Sequence, residues 1–246
     1  MEGKLIPFII VGFLAQLIDG ALGMAYGVSS TTFLLGLGVP PAAASMSVHT
    51  AEVFTTLVSG LSHLKLGNVD VKLFKKLVIP GVLGGIVGAY ILTSVPGNVI
   101  KPLVSVYLLV MGLVIIYKVF FRKSQGGEVS SHLRLLAVIG GFFDAIGGGG
   151  WGPIVTSTIV ARGHNPRFVI GSVSLSEFFV TLAQVITFTV TLGSVDWITV
   201  LGLIIGGVVA APAAALVCKK IPTRALMAIV GVLITLLSIR TIYLAL

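Results

Sequence analysis

The sequence predicts an all-α polytopic membrane protein of two inverted repeats, each a broken or re-entrant helical segment followed by three transmembrane helices. The 246 residues are 56% hydrophobic and 10% charged, with a mean hydropathy of +1.12, whereas a water-facing domain normally carries about 25% charge. The chain also repeats itself. At an offset of 125, Asp19, Gly23, Gly27, Thr31, Gly38, Pro41, Ser47, Val48, Glu52, Phe54, Thr56 and Leu57 meet Asp144, Gly148, Gly152, Thr156, Gly163, Pro166, Ser172, Val173, Glu177, Phe179, Thr181 and Leu182. Asp, Pro and Glu are too scarce here for such matches to follow from apolar composition, and a fixed period over the whole chain signals a duplication. Finally, each copy opens on a glycine motif between two short apolar runs: Asp19-Gly20-Ala21-Leu22-Gly23-Met24-Ala25-Tyr26-Gly27, then Asp144-Ala145-Ile146-Gly147-Gly148-Gly149-Gly150-Trp151-Gly152.

One membrane domain, 1–246, therefore divides into repeat one, 5–121, a linker, 122–134, and repeat two, 135–246. The run 5–18 resembles a signal sequence, but Glu2 and Lys4 give it no net positive flank, so it is expected to be retained. With its partner 28–37, and with 135–146 and 153–161 in the second half, it is about half as long as the roughly twenty residues a crossing needs. Stretches long enough to span follow at 46–64, 77–94 and 102–121, then 169–191, 198–217 and 225–245. Beyond the first of these the offset becomes 126, and Gly67, Val69, Asp70, Pro96 and Tyr117 meet Gly193, Val195, Asp196, Pro222 and Tyr243.

Basic residues choose between crossing and turning back. If the motif segments cross, Lys and Arg divide ten against six between the two sides; if they turn back, thirteen against three. Orientation follows this bias in short loops, so the re-entrant model is favoured, with the linker cytoplasmic and both termini outside. Three crossings per half also make the repeats inverted, related by an axis in the membrane plane. The net charge of +8 thus marks cytoplasmic loops of a multi-pass cell-membrane protein, and nucleic acid is not an expected partner. The single Cys218 excludes an intramolecular disulfide, and no cofactor or metal is expected.

A backbone break at membrane depth must be buried in protein or line a wet cavity. Glycine permits the tight turn and lets a ligand approach the main chain. Behind the breaks, Ser29, Ser30 and Thr31 in one half and Thr156 in the other occupy the opening turns of two half-helices. Their N-termini carry positive dipole ends aimed at one central point, which suits an anion. The candidate substrate-binding residues are Gly23, Tyr26, Gly27, Ser29, Ser30, Thr31, Gly148, Trp151, Gly152, Thr156 and Ser174. The competing reading is tight helix packing through small residues, the better reading for Gly81, Gly84, Gly85 and Gly88.

Ionisable residues in the apolar zone are functional candidates because a charge there is costly. Glu52 and Glu177 are repeat equivalents; His49 lies on the same helical face as Glu52, one turn before it, and Ser174 stands at its counterpart. Desolvation favours a protonated glutamate, so His49, Glu52 and Glu177 are the candidate proton carriers; capping of the re-entrant helices is the alternative for the two glutamates. Asp19 and Asp144 are expected to be structural, as turn residues or as bonds to the opposite half. Tyr26 and Trp151 could wall the chamber or pack against the bundle.

The run Gly12-Phe13-Leu14-Ala15-Gln16-Leu17-Ile18-Asp19 through Gly27, the stretch Ser47-Val48-His49-Thr50-Ala51-Glu52-Val53-Phe54-Thr55-Thr56, and Gly147 through Pro153 resemble the TauE/SafE family of sulfite exporters and related permeases. The resemblance implies a secondary transporter of sulfite, sulfonates or other sulfur-containing anions, with the glycine-rich segments near the path. No nucleotide-binding motif is present, so an ion gradient would supply the energy, with H+ the first coupling candidate and Na+ the second. The expected partners are thus a small anion, the coupling ion and the lipid bilayer, and a homodimer is compatible. An uncoupled anion channel is the alternative. An intramembrane enzyme is disfavoured because Ser and Glu positions recur in both halves, whereas catalysis needs one asymmetric constellation.

Overall fold

A computed structural model describes residues 2–22, 25–121, 132–162, 164–220 and 223–243. Gly23, most of the linker and the side chains of Asp19 and Cys218 lie outside the described residues. The helices are α1 Glu2–Leu22, α2 Tyr26–Gly36, α3 Pro41–Lys65, α4 Val71–Ser94, α5 Gly97–Phe121, α6 Leu133–Gly147, a π-helical turn Gly152–Thr156 running into α7 Ser157–Ala161, then α8 Pro166–Leu192, α9 Trp197–Lys220 and α10 Thr223–Tyr243. No strand occurs among the described residues.

Local chemistry sets the ends. Asp70 caps α4 by accepting the Lys72 and Leu73 amides at 2.8 and 3.2 Å, and its repeat counterpart Asp196 accepts the Ile198 amide at 3.1 Å at the start of α9. Both satisfy donors that a helix start would otherwise leave open. Asn165 does the same for α8 through the Arg167 amide at 3.0 Å, with Pro166 in the first helical position. Gly148 closes α6 at φ 64°, the left-handed conformation in which a side chain is unfavourable.

Counterpart helices pack against one another in opposite directions. A Cβ on Gly60 of α3 would meet Leu175 of α8 at 3.0 Å, and Gly171, one turn earlier on α8, faces Asn68 beyond the end of α3. Likewise Gly112 of α5 faces Thr235 of α10, whereas Gly231 faces Ile116. The first helix of each half lies along the other half: Gly12 of α1 faces Leu203 and Phe13 faces Gly206 of α9, while Val138 and Phe142 of α6 face Gly84 and Gly88 of α4. The small residues let these backbones touch, as helices in lipid require for close packing.

These directions make both broken segments hairpins that return to the side they came from. Arg240, near the end of α10, donates to the carbonyl of Gly36 at the end of α2 at 3.2 Å, so α2 comes back to the end of the bundle where α1 and α9 begin. Arg167, at the start of α8, binds the Asn68 side chain and the Leu66 carbonyl. Thus α7 and α8 meet where α3 ends and where α4 and the co-directional α6 begin. One detail differs from expectation: α1 is helical over 21 residues, through Asp19 and Gly20, because helix propagation tolerates an isolated glycine at a cost of about 1 kcal/mol.

Among the described residues, Val71–Ser94, Gly97–Tyr117 and Arg167–Leu192 are long and apolar enough to cross a membrane. Helix α3 has the length, 25 residues, but its hydropathy is lowered by Ser45, Ser47, His49, Thr50 and Glu52. Those side chains are buried inward, while Phe54, Val58 and Leu61 face outward. A charged or hydroxylic face turned inward is what lipid demands of a polar helix.

Candidate functional site

The two hairpin tips meet at the centre. The Thr31 hydroxyl donates to the Gly148 carbonyl at 2.7 Å, and a Cβ added to Gly27 would stand 2.6 Å from Gly149 Cα and 2.7 Å from the Gly148 oxygen. Between the arms the backbone takes positive φ at Ala25 (136°), Gly148 (64°) and Gly149 (150°). Ala25 is the non-glycine residue among these three, and its repeat counterpart, Gly150, does not take a positive φ.

A cavity of about 540 Å³ opens beside these tips, walled by α3, α8 and α9. Of the residues expected to bind substrate or protons, it brings together Tyr26, Gly27, Glu52, Gly152, Thr156, Ser174 and Glu177. Glu52 Oε1 would lie 2.9 Å from a Cβ on Gly27, which puts the carboxyl beside the first turn of α2. From there the lining continues along α3 through Thr55, Thr56 and Ser59 to His63, towards the end of the bundle that carries Lys65, Lys72, Lys75 and Lys76.

The other expected residues lie behind the wall. Trp151 is fully buried; its indole N–H donates to the Val173 carbonyl at 3.3 Å, and its ring fills the space over Gly81, where a Cβ would come within 2.8 Å of Cζ3. Its counterpart Tyr26 instead lines the cavity, and its hydroxyl donates to the Leu203 carbonyl at 3.3 Å. Gly148 and Thr31 hold the tips together. The Ser29 and Ser30 hydroxyls are buried without a hydrogen-bond partner among the described residues. Gly23 lies outside the described residues.

His49 is also behind the wall, with no exposed surface. Its Nδ1 is 2.7 Å from the Ser45 carbonyl, and its Nε2 is 3.1 Å from Asp144 Oδ2. Asp144 additionally accepts the Trp151 amide on Oδ1 at 2.9 Å and the Gln184 side-chain amide on Oδ2 at 3.0 Å. Asp144 therefore serves both as the turn residue of its tip and as a bond to the opposite half. Gln184 and Tyr107, whose hydroxyl donates to the Gly149 carbonyl at 3.1 Å, are partners that sequence reasoning missed, whereas the spacing of Ser45, one helical turn before His49, was legible. A lone Gln inside an apolar span was the available signal.

The site is not symmetric. Across one seam α8 lies on α4, with Val180 Cγ2 2.9 Å from a Cβ on Gly81; across the equivalent seam, the atoms nearest a Cβ on Gly207 are Gln16 Oε1 and the Tyr26 hydroxyl, both at 3.8 Å. The cavity occupies that second seam, between α3 and α9.

Residues 8–241 match the model of the sulfite exporter TauE/SafE family. The chain is 45% identical over 249 residues to Probable membrane transporter protein YtnM of Bacillus subtilis (strain 168), covering 97% of this chain and 83% of that one. It is 27% identical over 199 residues to Probable membrane transporter protein ORF9 of a Sinorhizobium species, covering 77% and 69% of the two chains. No solved structure matches. With a family model covering nearly its whole length and relatives named as transporters, the chain belongs to the sulfite exporter TauE/SafE family, and is a membrane transporter and not an enzyme.

Proposed function

We propose that this protein is a multi-pass cell-membrane secondary transporter that moves small sulfur-containing anions, sulfite or a sulfonate, together with protons. The observation that carries the reading is the convergence of two hairpin tips on a cavity whose described lining holds Glu52, Glu177, Asp144 and His63 but no Lys or Arg. The first turn of α2 offers an anion its N–H groups and dipole. An ionised glutamate opposes the same anion: at ~6 Å and an effective dielectric constant of about 20, one pair of like charges costs about 3 kcal/mol. Protonation of the glutamates removes that penalty and supplies O–H donors, so proton and anion enter together.

Alternating access is supported by the two unequal seams. The antiparallel packing of α3 on α8 and α5 on α10 fits halves related by inversion, with boundaries at 5–121 and 135–246. The lysine-rich end is the cytoplasmic one by the positive-inside rule, so the α3–α9 cavity faces inward. Exchange of conformations between the halves would close that seam as α8 closes on α4, and open its counterpart outward.

Purified protein in proteoliposomes tests this with radiolabelled sulfite and an imposed pH gradient. Gradient-driven flux is expected, and Glu52→Gln is expected to remove its pH dependence. Unchanged pH dependence in that variant would exclude Glu52 from coupling, and a planar-bilayer conductance far above transporter turnover would decide for a channel.

A further inference from the structure

We propose that His49 and Asp144 together form a proton-binding site, a buried pair that holds one proton in this conformation and releases it to the cavity through Asp144. Its role in coupling rests on the secondary-transport reading above; its protonation does not. Hydrogen-bond direction fixes the proton count. A carbonyl oxygen only accepts, so Nδ1 at 2.7 Å from the Ser45 carbonyl must carry a hydrogen. The ring is then neutral only if Nε2 is bare, and a bare Nε2 cannot face an ionised carboxylate oxygen at 3.1 Å. A proton lies between them, either on Nε2 as imidazolium against carboxylate or on Oδ2 as carboxylic acid against neutral imidazole.

The surroundings close the remaining escape. A shift to the Nε2–H tautomer would need a donor for Nδ1, and the Ser45 hydroxyl, 3.2 Å away, donates its hydrogen to the Ala145 carbonyl at 2.6 Å. The Gln184 amide cannot be reversed to supply an acceptor, because its nitrogen also donates to the Gly141 carbonyl at 3.2 Å. Other titratable groups near the pair are Tyr107 on α5, engaged with Gly149, Glu52 one turn along α3, and Glu177 two turns before Gln184 on α8. The stretch of α4 against α6, 81–88, carries none.

The pair also joins moving parts. His49 belongs to α3 of the first half, whereas Asp144 holds the tip of the second hairpin and lines the cavity. When the proton passes from the pair to cavity water, two lone pairs face each other at the contact. Relief requires either parting the helices or turning the Ser45 hydroxyl from Ala145 to Nδ1, and both loosen the second hairpin from α3. Proton release is thereby linked to the seam that must move. Sequence symmetry places Ser174 opposite His49, so the second half does not reproduce the pair.

Nitrogen-15 NMR of histidine-labelled protein in nanodiscs tests the protonation, with His49 assigned among the four histidines by loss of its signals in His49→Gln. Expected is either a doubly protonated ring, or an Nδ1–H ring accompanied by an infrared carboxylic-acid band that Asp144→Asn removes. A neutral ring without that band overturns the proposal. Asp144→Asn retains a donor towards Nε2 and an acceptor for the Trp151 amide and gives up only the bond from Gln184 to Oδ2, so it carries no exchangeable proton between the two side chains, and a pH gradient should then drive less than a tenth of wild-type anion accumulation. Wild-type accumulation in Asp144→Asn would likewise overturn it. Should that variant not fold, the wild-type spectra decide; should the wild type carry no anion tested while the spectra hold, it is the transport reading that fails.

Discussion

Replacement of Gly27 by alanine should push the two hairpin tips apart, and a second glycine of the same helix supplies the control. Both Gly27 and Gly36 belong to α2, so the gain in helix preference from adding a methyl, about 0.5–1 kcal/mol, is common to both. Their surroundings differ. At Gly36 a Cβ meets nothing within 4 Å, whereas at Gly27 it meets Gly149 Cα at 2.6 Å, the Gly148 oxygen at 2.7 Å and Glu52 Oε1 at 2.9 Å. Two of those three neighbours are backbone, in a turn fixed by the Thr31 hydrogen bond and by Asp144, so they cannot rotate away as a side-chain end would. Overpacking of this kind costs about 1–3 kcal/mol. Subtracting the control cancels the helix term, leaving Gly27→Ala less stable than Gly36→Ala by ~1–3 kcal/mol, or a melting midpoint lower by about 2–12 °C for a chain of this size. Thermal unfolding of both variants in the same nanodiscs, at one scan rate, measures the difference. Equal midpoints, or a higher one for Gly27→Ala, would refute direct contact between the tips.

Ala25→Gly should act in the opposite direction. A left-handed alanine costs about 1–2 kcal/mol, part of which the added freedom of the unfolded chain offsets, so the midpoint should rise by ~1 kcal/mol equivalent; a fall would contradict the φ of 136°. In a Cys218→Ser background, Ser59→Cys and Ser174→Cys line the cavity and should react with a membrane-impermeant thiol reagent applied from the lysine-rich side. Val180→Cys, fully buried against α4, should be protected, as read by mass shift. Equal labelling of all three would mean that the two seams are not distinct.

Much of the fold was legible because lipid enforces simple rules. Composition identified the solvent, and the repeat offset made α8 the counterpart of α3 and α10 the counterpart of α5. The basic-residue count favoured hairpins, and the bonds Arg240 to Gly36 and Arg167 to Asn68 return both hairpins to their starting side. What stayed hidden depends on rotation about helix axes. A period of 3.6 places His49 and Glu52 on one face of α3, yet a face can span both a cavity wall and a helix seam. His49 sits in the seam and Glu52 at the cavity. Asp144 was legible as a turn residue because it precedes four glycines, but its bond to His49 is a contact between halves, and no local pattern encodes it. Gln184 was passed over because one amide in a long apolar span barely changes hydropathy.

The residues that break the repeat acquire a physical reading from the unequal seams. Trp151 presses on Gly81 where α8 meets α4, and the smaller Tyr26 leaves Gly207 with nothing nearer than 3.8 Å where α3 parts from α9. Both positions of each pair are matched in the repeat, so the glycines form equivalent sockets and the aromatics equivalent plugs; only the size of the plug and its occupancy differ. A buried indole excludes more water and makes more dispersion contacts than the smaller phenol of Tyr26, which is hydrogen-bonded to the Leu203 carbonyl. The seam closed by Trp151 should therefore be the harder to open. On that reasoning the cavity lies at the α3–α9 seam because that seam is the less firmly plugged, and the proposed exchange between the halves would have to free Trp151 from Gly81. The Asp144 carboxylate that holds the Trp151 amide is placed to govern that step.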